Sequence, residues 1–153
     1  YWMSENLRFE PDSGNYWAYN NNEADILTDG YLYDWETANN VCPDGWHLAS
    51  QAEWTELATK LGGFNVAGGK MKTSGTLDWN SPNQDATNSS GFSALPSGIY
   101  DGYDMFDGRG NLTYFWSSEV SLNIYWLSCN YGLLGETYFD LGFESASVRC
   151  VKD

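Results

Sequence analysis

"VCPDGWHLASQAEWTELATKLGG", residues 41–63, carries the most completely specified local structure in the chain. Ser50 stands at an N-cap position, and Glu53 three residues later completes a capping box, so that two orphan backbone N–H groups gain partners. Trp54, Leu57, Ala58 and Leu61 then recur at the spacing of one buried helical face. Gly62-Gly63 ends the helix. Ahead of it, a cysteine, a Pro-Asp-Gly turn and a Trp-His-Leu run deliver the chain to its start.

Working outward, a second helix is expected over residues 34–41, with Trp35 and Ala38 facing inward, and a short helical turn over 69–73. Residues 75–111 read as loop, because turn residues stand at almost every other position and Trp79, Phe92 and Leu95 are isolated anchors. Strands are expected in "YWMSENLRF" (1–9), "TYFWSSEV" (113–120), "NIYWLSCNY" (123–131), "TYFDLGF" (137–143) and "SASVRCVKD" (145–153). Helices and strands kept in separate runs indicate an α+β domain ending in an antiparallel meander. Its regular half is scaffold, and its irregular half is left to present a surface.

The 153 residues suffice for one domain, 1–153, with a real core. Twenty-six are Phe, Trp or Tyr, and 21 acids against 7 bases leave a net charge of −14. That balance argues against nucleic acid and anionic membrane surfaces, which need a positive footprint. It leaves room for neutral glycans, basic partners and hard cations. No stretch is long and apolar enough to span a membrane, so no direct membrane insertion is expected. With no initiator Met and no signal peptide, the chain reads as a mature or excised piece.

Cys42, Cys129 and Cys150 form no C-x-x-C pair, and His47 is the single histidine, so a Cys/His zinc site is not expected. Either three reduced thiols or one disulfide with a spare thiol fits this count. A Cys42–Cys150 bridge is the favoured pairing. It would close most of the chain, worth roughly 4–5 kcal/mol in the chain-entropy treatment, and would belong outside the reducing cytosol.

The segments "WMSENLRF", "CPDGWHLASQAEWTELATKLGG", "TNSSGFSALPSG", "YFWSSE" and "SVRCVKD", in this order from Trp2 onward, resemble the Fibrobacter succinogenes major paralogous domain. That family is similar in turn to the formylglycine-generating-enzyme branch of the C-type lectin-like fold. Ala49 stands where that branch usually has Pro. The resemblance implies two helices on a small twisted antiparallel sheet with a long irregular loop region. It also implies a secreted or surface-anchored bacterial protein of the Bacteroidetes and Fibrobacteres type, excised from a longer adhesin-like chain. Cys42 and Cys150 match the family's paired cysteines, which implies the disulfide; Cys129 has no counterpart. The implied role is binding or adhesion rather than catalysis. The related enzymes use reactive cysteines with copper, or three histidines with iron; with one histidine and with Cys42 and Cys150 matched to the paired cysteines, a formylglycine-generating-type enzyme is the third and least favoured reading. His47, between Trp46 and Leu48, reads as a packed histidine, and no Ser-His-Asp set can be built around it.

Two sites follow as expectations. "EVSLNIYWLSCNYGLLGETYFDLGFESA" (119–146) interrupts the family framework with rigid aromatics suited to glycan stacking or protein recognition. Asn123, Tyr125, Trp126, Asn130, Tyr131, Leu133, Leu134, Tyr138, Phe139 and Asp140 are its expected ligand contacts, with strand alternation turning about half of such residues inward. An odd cysteine and arbitrary-looking substitutions resemble the variable proteins of diversity-generating retroelements. The expected partner is a glycan or a host or bacterial surface protein; a structural subunit, such as a pilus-tip or matrix component, is the second reading. No cofactor is required. Asp101, Asp104, Asp107 and Asn111 are oxygen donors that a calcium ion would take, and Asp78, Asn80, Asn83, Asp85 and Asn88 form a second group. Against calcium stands the ordinary use of Asp and Asn in Asx-turns, and neither group matches an EF-hand.

Overall fold

The computed structural model describes residues 1–119, 123–138 and 145–153. Among the described residues the strands are β1 Tyr16–Trp17, β2 Leu32–Tyr33, β3 Trp46–Leu48, β4 Ile99–Tyr100, β5 Phe106–Asp107, β6 Leu112–Trp116, β7 Asn123–Ser128, β8 Gly135–Tyr138, β9 Ala146–Ser147 and β10 Cys150–Lys152. The helices are α1 Ile26–Asp29, α2 Trp35–Ala38, α3 Gln51–Lys60 and α4 Phe64–Met71, with two 3-10 turns ahead of α1. The domain is α+β, as expected.

The capped helix forms as its sequence dictates. Ser50 and Glu53 exchange both capping-box bonds, and Trp54 and Ala58 are fully buried while Leu57 and Leu61 are partly so. Helix α2 is a single turn rather than the longer helix expected over 34–41; Asp34 caps it by accepting from the Thr37 N–H. The turn expected over 69–73 is the end of the eight-residue α4. Its glycines permit close approach. A Cβ on Gly68 would run into the Leu133 carbonyl, and one on Gly69 into that of Asp85.

The main sheet runs β1-β2-β9-β6-β7-β8. Strands β6 and β7 lie at the expected strands and pair antiparallel, and β8 shares only 137–138 with the strand expected over 137–143, whose residues 139–143 lie outside the described residues; β9 joins β6 in parallel, so the sheet is mixed rather than purely antiparallel. β10 leaves it to pair with β3, and β4 with β5 makes a hairpin inside the region read as loop. The expected N-terminal strand is absent as a regular element. Residues 1–9 are held by a Trp2–Val151 bridge and by single bonds such as Leu7 N–H to the Val148 carbonyl, 3.0 Å.

Period-two alternation in β6 and β7 feeds a core on each face of the sheet. Phe115, Tyr125 and Leu127 join Trp54, Ala58, Ala67 and Met71 of α3 and α4 on one side. Trp116 and Ile124 join Leu7, Tyr33, Ala38 and Val148 on the other. The loop anchors Trp79 and Phe92 enter the first core, and Leu95 is half-buried. Buried tryptophans keep their N–H groups satisfied: Trp54 Nε1 donates to the Trp116 carbonyl at 3.3 Å, and Trp116 Nε1 to that of Tyr33 at 2.7 Å. The Cys42–Cys150 disulfide is formed and Cys129 is free and buried.

Candidate functional site

In β7, Asn123, Tyr125 and Leu127 point toward α3, and Ile124, Trp126 and Ser128 point away from it. The ten expected contact residues are therefore divided rather than gathered. Tyr125 is a core residue, 0% exposed and stacked on Trp54 with ring centroids 4.8 Å apart. Burial, followed by the Glu136 charge, pushes its phenol pKa well up. Leu134 is buried under the Phe64 carbonyl, to which its N–H donates at 2.8 Å. Asn123 is only 4% exposed. These three are corrected from surface to interior, because strand alternation and the β7–β8 turn face them toward α3 and α4. Phe139 and Asp140 lie outside the described residues.

The remaining five are on or near the surface. Trp126 is half-buried and lies across Gly135, its cross-strand partner; a Cβ on Gly135 would fall inside the indole. Only glycine leaves that space, and the indole is thereby seated flat on β8. Tyr131, 53% exposed, stands edge-on to it with centroids 6.2 Å apart. Asn130 beside it is exposed and Leu133 is half-buried. Tyr138 is 70% exposed but stands opposite Asn123, on the α3 side.

A residue absent from the expected set holds this turn. Lys72, fully buried, donates from Nζ to the carbonyls of Ser128 (2.8 Å), Tyr131 (2.8 Å) and Gln84 (3.0 Å). All three ammonium N–H groups are thereby used. Burial pushes its pKa down to about 8. In "GGKMKTSG" it reads as one more solvated lysine, so no local signal marks it.

On the α3 side, Glu136 Oε1 accepts from Gln51 Nε2 (3.0 Å), Asn123 Nδ2 (3.1 Å) and Tyr125 Oη (3.4 Å). Both carboxylate oxygens of Glu119 accept from the Gln51 backbone N–H at 2.8 Å. The helix start is thus part of a polar site as well as scaffold.

Three of the four expected calcium ligands are occupied locally. Asp101 Oδ1 accepts from the N–H groups of Tyr103 (2.7 Å) and Met105 (3.0 Å), an Asx-turn that shapes the β4–β5 hairpin. Asp107 Oδ1 accepts from Gly108 N–H and Asn111 Oδ1 from Asn80 Nδ2. Asp104 occupies a left-handed turn position, φ 65°. Among the described residues no group of three or more His, Cys, Asp or Glu side chains is placed to hold a metal ion. In the second group, Asn83 Nδ2 donates to the carbonyls of Thr73 and Gly75, and Asn88 Oδ1 accepts from the Ser93 N–H.

His47 bridges Asp153 (Nδ1–Oδ1, 2.7 Å) and Glu53 (Nε2–Oε1, 2.9 Å). These bonds, that to Asp153 first, raise its pKa above the ordinary value. The stability it contributes is therefore full below about pH 6.5 and is lost as pH rises through the higher folded value. Glu53 runs the other way: burial opposes its ionisation, but Ser50 and His47 outweigh this and lower its pKa, so its contribution is lost as pH falls. Because the imidazole is 43% exposed, the effect is a fraction of a kcal/mol, about the scale of surface pairs. An NMR titration should place the His47 pKa above 6.5, and His47→Gln should flatten the decline in stability above that pH.

The model of the Fibrobacter succinogenes major domain family matches residues 1–152. The chain belongs to that family. No curated protein matches it, and no solved structure does. For this Fibrobacter succinogenes major domain the disulfide suits an oxidising compartment. No helix among the described residues is long and apolar enough to cross a membrane.

Proposed function

We propose that the domain is an extracellular binding or adhesion module of a bacterial surface protein, with a C-type lectin-like fold and no catalytic role. Its ligand, a glycan or a surface protein, is met by Trp126 and Tyr131, with Asn130 supplying hydrogen bonds. One observation carries this reading: the Trp126 indole is seated on Gly135, edge-on to the exposed Tyr131, on a turn anchored by Lys72. Rigid aromatic area of this kind loses little conformational entropy on binding and stacks on either sugar rings or protein side chains. Where siblings carry a diversified face, Trp126, Asn130 and Tyr131 would vary while the buried Tyr125 and Leu134 would not.

The test is a screen of the domain on glycan and surface-protein panels, with calcium and again with EDTA. A hit that survives EDTA and weakens about tenfold or more in Trp126→Ala and in the exposed Tyr131→Ala supports the reading. Hits unchanged in both variants would move the site elsewhere. Loss in EDTA would instead assign calcium to the Asp/Asn loops. An assembly role is the second reading, favoured by β8, which forms the edge of the sheet among the described residues. Concentration-dependent self-association with silent panels would select it.

A further inference from the structure

Trp35, Trp54, Trp79 and Trp116 each donate the indole N–H to a backbone carbonyl. Trp2 does not: among the described residues its Nε1 meets no acceptor. It is nevertheless firmly seated, its ring centroid 4.6 Å from that of Trp54 and 5.8 Å from that of Phe92, and its backbone bridged to Val151. Half-buried at the side of the first core, it lines a groove of about 510 Å³ between α3 and β10. Leu57 and Val151 complete an apolar floor. The volume falls in the range of small-molecule sites, about 300–1,000 Å³. The rim differs from the rest of the surface. Glu53 and Glu56 stand on it with Lys60 and Lys152, two acids with two bases, in a chain whose acids outnumber its bases 21 to 7. Glu53 is spent on Ser50 and His47. Glu56 accepts from Lys60 at 2.6 Å through Oε1 alone, and both side chains are exposed. Lys152, exposed on β10, has no partner for its ammonium among the described residues.

We propose that this groove binds a neutral pyranose ring of a glycan. The apolar floor takes the C–H face of the ring out of water, and the fixed Trp2 indole gives it a flat surface to stack on. A sugar hydroxyl both donates and accepts, so it is met best by a carboxylate and an ammonium side by side. Glu56 keeps its second oxygen for such a donor, and Lys60 and Lys152 supply donors from the helix side and the strand side. Hydrogen bonds to charged groups are the stronger kind. The balance of the rim decides between ligand classes. An anionic sugar or an acidic peptide would meet Glu53 and Glu56 as well as the field of a chain at −14, and a cation would meet Lys60 and Lys152. A neutral polyol meets neither penalty. No residue lining the groove belongs to β7 or β8, so the site is separate from the Trp126 platform and stands without it.

The test is titration of the isotope-labelled domain with neutral gluco-, xylo-, manno- and galacto-oligosaccharides, with oligogalacturonate and with an acidic peptide. At least one neutral series should shift the Trp2 indole N–H signal and the Leu57 and Val151 amide signals saturably. Glu56→Ala with Lys152→Ala leaves the net charge unchanged and touches only exposed positions. The melt should therefore hold while binding of that oligosaccharide weakens about tenfold. Trp2→Leu, which keeps apolar volume against Trp54 but removes the flat ring, should weaken it likewise. Silence of all four neutral series, shifts confined to Trp126 and Tyr131, or binding unchanged in the Glu56→Ala/Lys152→Ala variant would overturn the proposal. So would oligogalacturonate or the peptide moving the same signals while the neutral sugars do not. Trp126→Ala should leave this binding intact, so that failure here and failure of the Trp126 reading are told apart.

Discussion

Removing the Cys42–Cys150 disulfide is expected to lower the unfolding free energy by about 4–5 kcal/mol, the largest effect of any change considered. The bridge spans 108 residues and so restrains nearly the whole denatured chain. It also ties down a crowded corner. Cys150 is buried on β10, opposite Leu48 of β3, and its carbonyl accepts from Met3 N–H at 3.1 Å. The clean comparison is wild type against Cys42→Ser/Cys150→Ser, which leaves Cys129 free and avoids reshuffling. In urea the variant should show a lower midpoint and a steeper slope, since a denatured chain without its crosslink exposes more surface. A midpoint unchanged within error would mean that the β3–β10 ladder alone holds both ends.

Replacing Arg149 by Met should cost about 3–5 kcal/mol, although among the described residues no acidic group pairs with it. Its guanidinium, 0% exposed, donates through Nε to Asn6 Oδ1 (2.7 Å), through Nη1 to the carbonyls of Met3 (2.9 Å) and Phe92 (2.6 Å), and through Nη2 to that of Ser93 (3.2 Å). The same group lies over the Phe92 ring at 4.3 Å. Burial pushes its pKa down to about 9. The charge is costly to bury, but removing it strands several buried acceptors from two separate segments at once, and that loss dominates. Arg149→Lys should recover less than half, because an ammonium cannot reproduce the planar fork. Denaturant melts of the three proteins decide it. A Met variant as stable as wild type would show that desolvation and hydrogen bonding cancel here.

Where the sequence was legible, the controlling interactions are local. Ser50, Glu53 and Gly62-Gly63 act within one helix, and the spacing of Trp54 and Ala58 sets its buried face without reference to the rest of the chain. The meander strands likewise announce themselves by composition. Two-residue strands such as Leu32–Tyr33 do not, because their pairing with Ser147 and Ala146 comes from more than a hundred residues away. The role of the α4 glycines was hidden for a related reason: they serve the Leu133 and Asp85 carbonyls, which no local pattern reveals.

The chain by itself determined the α+β class, the capped helix and the family, and the resemblance to that family implied the cysteine pairing. Each rests on short-range pattern or on motif order along the chain. Only the tertiary structure decided which aromatics face out. Tyr125 and Trp126 are adjacent and alike in sequence, yet one is buried against Trp54 and the other is half-buried over Gly135 on the opposite face. Which side of a strand is buried depends on where α3 and α4 pack, and that is fixed by contacts across the whole chain. The same holds for Lys72 and Arg149, whose acceptors are distant backbone carbonyls that carry no mark in the sequence.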